Sequence, residues 1–320
     1  MISGFLFLSL GFVLVVAGAD ALVRGASALA KRLNVSEFII GLTVVAFGTS
    51  APELVVNVIA SIKGDEALVM GNIMGSNIFN ALVILGVGGL IRPLYVIRRT
   101  VRLEIPFAVF AVAVIGIAAN DVWTDRGPVN IISNSDALYM LALFGVFVVY
   151  TFVVFKGSEP VDTSIGVQVY PMWKIVLLIV AGAFGLSFGG DQVVSSAVKL
   201  ARIFGVSEVL IGLTIVSIGT SLPELATSIM AAIKHRSNMA VGNVVGSNIF
   251  NSLFILPISA LFNDIPYDVS MNWDLLVLVL GSFLFLLFMR TRQKYYLDRI
   301  EAAALLVLYF AYFGFIIWRG

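Results

Sequence analysis

Apolar residues run along this chain in blocks too long for the interior of a water-soluble domain. Ten such blocks, separated by short polar breaks, fall near 3–30, 35–62, 67–90, 100–119, 137–155, 171–199, 206–233, 238–261, 273–290 and 300–318. A helix needs about 20 residues to cross a bilayer, so the pattern predicts an all-α polytopic membrane protein with ten transmembrane helices. Trp123, Trp173, Trp273 and Trp318 lie at block ends, as expected of rings anchored at the headgroup level. No basic region precedes the first block, which therefore reads as a retained helix rather than a cleaved signal.

The pattern repeats. NVSEFIIGLTVVAFGTSAPEL at Asn34–Leu54 matches GVSEVLIGLTIVSIGTSLPEL at Gly205–Leu225, and GNIMGSNIFN at Gly71–Asn80 matches GNVVGSNIFN at Gly242–Asn251. Between Val35 and Asn80, 25 of 46 positions are identical to those 171 residues later, without a gap. Each half holds five blocks, an odd number, so the second half enters the membrane from the opposite side. The expected architecture is two inverted five-helix repeats, 1–160 and 161–320, forming one transmembrane unit. Secondary transporters use this arrangement, with the binding site near the midplane between the halves.

Composition narrows the function. Apolar residues make up 60% of the chain and charged residues 12%, with 20 Lys+Arg against 19 Asp+Glu. That excludes a soluble enzyme and a nucleic-acid binder, which would need a basic face. Cysteine is absent and His235 is the single histidine, so thiolate and histidine metal centres are excluded. The side reached after the first block collects 15 of the 20 basic residues. The positive-inside rule makes that side cytoplasmic and places both termini outside. The opposite face carries Asp65, Glu66, Asp121, Asp125, Asp136, Asp264, Asp268 and Asp274, an acidic rim that either gathers cations or simply keeps the loops soluble.

The repeated motifs are the least membrane-like parts of apolar blocks. Gly48-Thr49-Ser50-Ala51-Pro52-Glu53 interrupts the second block and Gly219-Thr220-Ser221-Leu222-Pro223-Glu224 the seventh. Proline removes a backbone donor and clashes with the preceding turn, so helices 2 and 7 should break there. Glu53 and Glu224 then hang into the breaks, and a charge at that depth costs about 2.5–3.5 kcal/mol on insertion scales unless it is matched. In the third and eighth blocks, Asn72, Ser76, Asn77 and Asn80 correspond to Asn243, Ser247, Asn248 and Asn251. Carboxylate, hydroxyl, amide and carbonyl oxygens suit Ca²⁺, Na⁺ or Mg²⁺. Gly71, Gly75, Gly242 and Gly246 form small-xxx-small seams for close approach to the broken helices.

Other readings compete at these positions. Ser50-x-x-Glu53 and Ser221-x-x-Glu224 match capping boxes, which need no ion. Asn72, Asn77, Asn243 and Asn248 are either ligands or interhelical hydrogen-bonding groups. Asp20 and Asp191 read as boundary or packing residues, and Glu37 and Glu208 as first-turn acids.

At the motifs G-T-S-x-P-E and G-N-x-x-G-S-N-I, each present twice, the sequence resembles the calcium/cation antiporter superfamily, specifically the prokaryotic sodium/calcium exchanger type. The resemblance implies four ion positions in a diamond. Glu53, Thr49, Ser76 and the Ala46 carbonyl would form an inner sodium site; Glu224, Thr220, Ser247 and the Ser217 carbonyl would form its outer mirror image. Glu53, Glu224, Thr49 and Thr220 would hold Ca²⁺, with Asn80 and Asn251 at the middle position and Ser50 and Ser221 in the same motif. Family members with an acid at the position of Asn251 differ from this chain, where only Glu53 and Glu224 carry charge. Their −2 balances one Ca²⁺ or two Na⁺, which makes occupancy mutually exclusive. The resemblance implies Na⁺/Ca²⁺ antiport by alternating access, the first and sixth helices sliding as a pair. The expected protein is a monomer of the prokaryotic plasma membrane, a transporter rather than an enzyme, with Ca²⁺ and Na⁺ as substrates and no prosthetic group. A proton-coupled Ca²⁺ antiporter and a passive cation channel remain as alternatives.

Overall fold

The fold is given by a computed structural model that describes residues 2–124, 127–156, 168–204 and 217–319. Helix α1 spans Ile2–Leu33, followed by α2 at Glu37–Thr49, α3 at Ala51–Lys63, α4 at Glu66–Ile91 and α5 at Arg98–Ala119. Then come α6 at Asn134–Lys156, α7 at Met172–Ile203, α8 at Ser217–Gly219 and α9 at Leu222–Ile233. The chain ends with α10 at Ser237–Ala260, α11 at Asn272–Phe288 and α12 at Arg299–Arg319. Among the described residues, eight helices are long and apolar enough to cross a membrane, and the bent pair α2–α3 makes a ninth. The seventh expected span, 206–233, is described from Ser217 onward; its first part, with Glu208, lies outside the described residues, as do Asp125, Arg126 and the 160/161 repeat boundary.

The least apolar spans are the deepest. Helices α4 and α10, with mean hydropathies of 1.7 and 1.4, bury 78% and 89% of their most apolar windows, against 17% for α12 at 2.1. Polar side chains inside a membrane need protein partners or a wet cavity, so the motif-bearing helices occupy the centre and the uniformly apolar ones face lipid. All four tryptophans are exposed, in keeping with anchoring at the membrane surface.

Two long helices pack backbone to backbone at the side of this centre. A Cβ added at Gly18 of α1 would lie 2.7 Å from the Leu186 nitrogen, and one at Gly182 of α7 would lie 2.6 Å from the Leu22 nitrogen. Gly11 and Gly189 close on each other's carbonyl oxygens in the same way, at 2.9 Å. The seam was readable from sequence as glycines seven residues apart, at Gly11, Gly18 and Gly25 and again at Gly182 and Gly189.

Short antiparallel ribbons tie the loops. Leu94–Tyr95 (β1) pairs with Tyr296–Leu297 (β4), and Ile131–Ile132 (β2) pairs with Ile265–Pro266 (β3). On the basic side, Lys234 pairs with Asp20, which also meets Arg24 at 2.7 Å, and Arg236 meets Glu37 at 2.8 Å. Glu37 therefore joins α2 to the α9–α10 turn as well as starting its helix, and Asp20 fastens α1 to the same turn. Asp191 is exposed. The turn itself uses a left-handed residue, His235 (φ 64°), and Gly64 (φ 75°) serves the α3–α4 turn in the same way.

Candidate cation site

The site forms where α2 stops and α3 starts. The two axes differ by 46°, and Ser50 between them leaves helical geometry at φ −87°, ψ 4°. Ser221 stands ahead of α9 in nearly the same conformation, at φ −92°, ψ 7°. The break thus falls two residues before each proline. Pro52 and Pro223 lie in the first turns of α3 and α9, where a missing N–H costs nothing because that donor would have no partner in the helix.

Neither serine caps the helix that follows it, which corrects the capping-box alternative. The Ser50 hydroxyl instead reaches across the protein, 2.8 Å from Glu224 Oε1 and 3.0 Å from Ser247 Oγ. Ser247 Oγ also donates to Glu224 Oε1, at 3.4 Å. Glu53 and Glu224 are each 1% exposed, and neither pairs with a basic residue among the described residues. Ala46 is buried, its carbonyl accepting from Thr49 Oγ1 at 3.2 Å. Ser76 donates to Asn72 Oδ1 at 3.5 Å, a long bond. Ser217 opens α8, and its side chain lies outside the described residues.

Wide π-helical turns at Phe79–Ile84 and Asn251–Ile255 carry Asn80 and Asn251. Such bulges concentrate at functional sites, and no sequence pattern announced them. The four flanking asparagines act as hydrogen-bonding groups. Asn243 accepts from Thr49, Asn72 from Thr220, Asn248 from Asn80 and Asn77 from Asn251. Among the described residues, Glu53 Oε2, Glu224 Oε2, Asn80 Oδ1, Asn251 Oδ1 and Ser221 Oγ are buried without a hydrogen-bond partner. A buried polar atom left in that state costs about 1–3 kcal/mol, and more if charged. These five oxygens lie on the repeated motifs, as does the unpartnered nitrogen Asn72 Nδ2, and oxygens of this kind are the atoms a hard cation binds. No cluster of three His, Cys, Asp or Glu side chains occurs among the described residues, so charge at the centre rests on two carboxylates.

Gly242 and Gly246 seat α10 against α2: a Cβ added at the first would fall 2.5 Å from the Phe38 carbonyl oxygen, and one at the second 2.4 Å from that of Leu42. For Gly71 and Gly75 the corresponding partners at the 171-residue offset, Val209 and Leu213, lie outside the described residues. Sequence reasoning passed over Asn57 and Ser228, both buried: Asn57 Nδ2 donates to the Glu53 carbonyl at 2.7 Å and Ser228 Oγ accepts from Asn243 at 3.0 Å. Their i+4 spacing from the two glutamates was the available signal.

The family model described as sodium/calcium exchanger protein matches residues 3–153 and 174–318. The sodium/calcium exchanger MaX1 of Methanosarcina acetivorans is 30% identical over 340 aligned positions, covering 96% of this chain and 97% of that protein. The inner membrane protein YrbG of Escherichia coli is 34% identical, covering 88% of this chain and 86% of its own length. Among solved structures, the sodium-calcium exchanger NCX_Mj, soaked with 2.5 mM Na⁺ and 0.1 mM Ca²⁺, superposes with a TM-score of 0.82 at 30% identity and covers 97% of both chains.

Proposed function

This chain belongs to the sodium/calcium exchanger family of integral membrane transporters, and we propose that it exchanges Na⁺ for Ca²⁺ by alternating access. The observation that carries this reading is the set of buried oxygens without partners on Glu53, Glu224, Asn80 and Asn251. Two carboxylates supply −2, enough for one Ca²⁺ or two Na⁺. Ca²⁺ would lie between Glu53, Glu224, Thr49 and Thr220. Na⁺ would use Glu53, Thr49, Ser76 and the Ala46 carbonyl, and in mirror image Glu224, Thr220, Ser247 and the Ser217 carbonyl, with Ser50 and Ser221 beside them. Hydroxyl ligands at four of these positions favour Na⁺ over a proton as the coupled ion, since a proton needs only the carboxylates.

Ten spans in two inverted repeats, 1–160 and 161–320, are part of this reading. Several features that recur at the 171-residue offset support it: the strands β1 and β3, the left-handed residues Gly64 and His235, and the paired hydrogen bonds of the asparagines. The glycine seam supports α1 and α7 moving as one body against the centre. The basic bias supports a cytoplasmic α9–α10 turn and external termini; a monomer in a prokaryotic plasma membrane completes the reading.

Mutually exclusive occupancy has a direct test. Binding of radiolabelled Ca²⁺ to the purified protein should fall with added Na⁺, cooperatively, because more than one Na⁺ replaces each Ca²⁺. Binding that ignores Na⁺ but falls on acidification would favour proton coupling instead.

A further inference from the structure

We propose that Asn72, Asn77, Asn243 and Asn248 are positioning residues that each accept a hydrogen from an ion ligand and so turn that ligand's oxygen toward the ion. The inference rests on the Na⁺/Ca²⁺ reading of the same site. A threonine hydroxyl and an asparagine amide are each both donor and acceptor. A cation is stabilised by their oxygens and repelled by their hydrogens, so a buried ligand of this kind works only if its donor is held elsewhere.

That is the arrangement here. Thr49 Oγ1 has one hydrogen and two acceptors at 3.2 Å, Asn243 Oδ1 and the Ala46 carbonyl, and Thr220 Oγ1 donates to Asn72 Oδ1 at 3.1 Å. Asn80 Nδ2 donates to Asn248 Oδ1 at 3.0 Å, and Asn251 Nδ2 to Asn77 Oδ1 at 3.1 Å. The four bonds form two pairs related by the 171-residue offset, and in every one the donor lies in one half of the chain and the acceptor in the other. Each half thus supplies acceptors for ligands of the other.

Three of the acceptors are themselves fixed, whereas the buried amino group of the fourth, Asn72, has no partner. Asn243 Nδ2 donates to Ser228 Oγ at 3.0 Å and to the Glu224 carbonyl at 3.4 Å. Asn77 Nδ2 donates to Ser252 Oγ at 3.0 Å, and Asn248 Nδ2 to the Asn77 carbonyl at 3.4 Å. With one amino hydrogen each engaged in this way, Asn80 and Asn251 keep their carbonyl oxygens buried and unpartnered. Groups that orient metal ligands are commonly worth about 10–100-fold in affinity.

The test is a double-mutant cycle read by equilibrium binding of radiolabelled Ca²⁺ to the purified full-length protein. Asn248→Ala should weaken binding about 10–100-fold, because the Asn80 amide can then turn its hydrogens to the ion. In an Asn80→Asp background the same substitution should cost no more than about 2-fold, the limit of ordinary additivity. A carboxylate offers oxygen at both ends and needs no acceptor. Unchanged affinity of the Asn248→Ala protein, or an equal loss in both backgrounds, overturns the positioning role; the second outcome is what simple packing would give. If Asn248→Ala does not purify as a monodisperse protein, the mirror set Asn77→Ala with and without Asn251→Asp decides by the same criteria. Wild-type protein that binds no Ca²⁺ overturns the exchanger reading and this inference together. Wild-type binding with an indifferent Asn248→Ala variant overturns the inference alone.

Discussion

Glu224→Gln or Glu53→Gln is expected to abolish Ca²⁺ transport while leaving the protein folded. Both carboxylates are buried, and among the described residues neither has a basic partner. With one neutralised, a bound Ca²⁺ keeps one positive charge uncompensated in a low-dielectric interior. Removing one partner of a buried charge pair costs about 3–5 kcal/mol, which at about 1.4 kcal/mol per tenfold is a loss of roughly 10²- to 10³-fold or more. Folding should survive, because glutamine keeps an oxygen for the Ser50 and Ser247 hydroxyls that now reach Glu224 Oε1. Melting curves separate the two effects. In ion-free buffer the glutamine variants should melt no lower than the parent, since each removes a buried charge. Added Ca²⁺ should raise the melting temperature of the parent alone, as expected when a ligand binds only the native state. Variants that still carry Ca²⁺ at the parental rate would remove the glutamates from the mechanism.

The second large effect is expected from Gly246→Val, which adds no charge and removes no ligand. A Cβ there would stand 2.4 Å from the Leu42 carbonyl oxygen and 2.7 Å from the Ala46 Cβ. The oxygen belongs to a helix backbone and cannot swing aside, so α10 must withdraw from α2. Withdrawal stretches the contacts between these helices, Thr49 to Asn243 and Ser50 to Ser247. The stability cost should reach or exceed the upper part of the about 1–3 kcal/mol typical of overpacking, and Ca²⁺ binding should be lost with it. Gly145→Ala serves as the contrast, because a Cβ at Gly145 meets no atom within 4 Å among the described residues. Thermal melting and Ca²⁺ binding of the two variants check the prediction; equal behaviour would mean that the close approach is not needed.

Much of this architecture was legible in the sequence because membrane burial is recorded residue by residue. Helix ends fell within a few positions of the apolar blocks, as with α10 at Ser237–Ala260 against 238–261. The motif positions were legible because they recur at one offset in an otherwise apolar chain. Partners distant in sequence were not. Ser50 fits a capping box by local spacing, yet its hydroxyl goes to a carboxylate 174 residues away. Glu37 fits a first-turn acid, yet it also pairs with Arg236, 199 residues on. The roles of Asn72, Asn77, Asn243 and Asn248 stayed open because an amide reads the same in sequence whether it meets an ion or another amide. The π-helical turns at Asn80 and Asn251 depend on packing around α4 and α10, which no periodicity encodes.

Na⁺ and Ca²⁺ are proposed to move in opposite directions through one site. Uptake of radiolabelled Ca²⁺ into liposomes holding the purified protein tests it most directly, with outward Na⁺, K⁺ and H⁺ gradients imposed one at a time. The account predicts uptake driven by the Na⁺ gradient alone and absent from the Glu53→Gln and Glu224→Gln proteins. Uptake driven by a pH gradient in Na⁺-free vesicles, or uptake that needs no counter-ion, would contradict it.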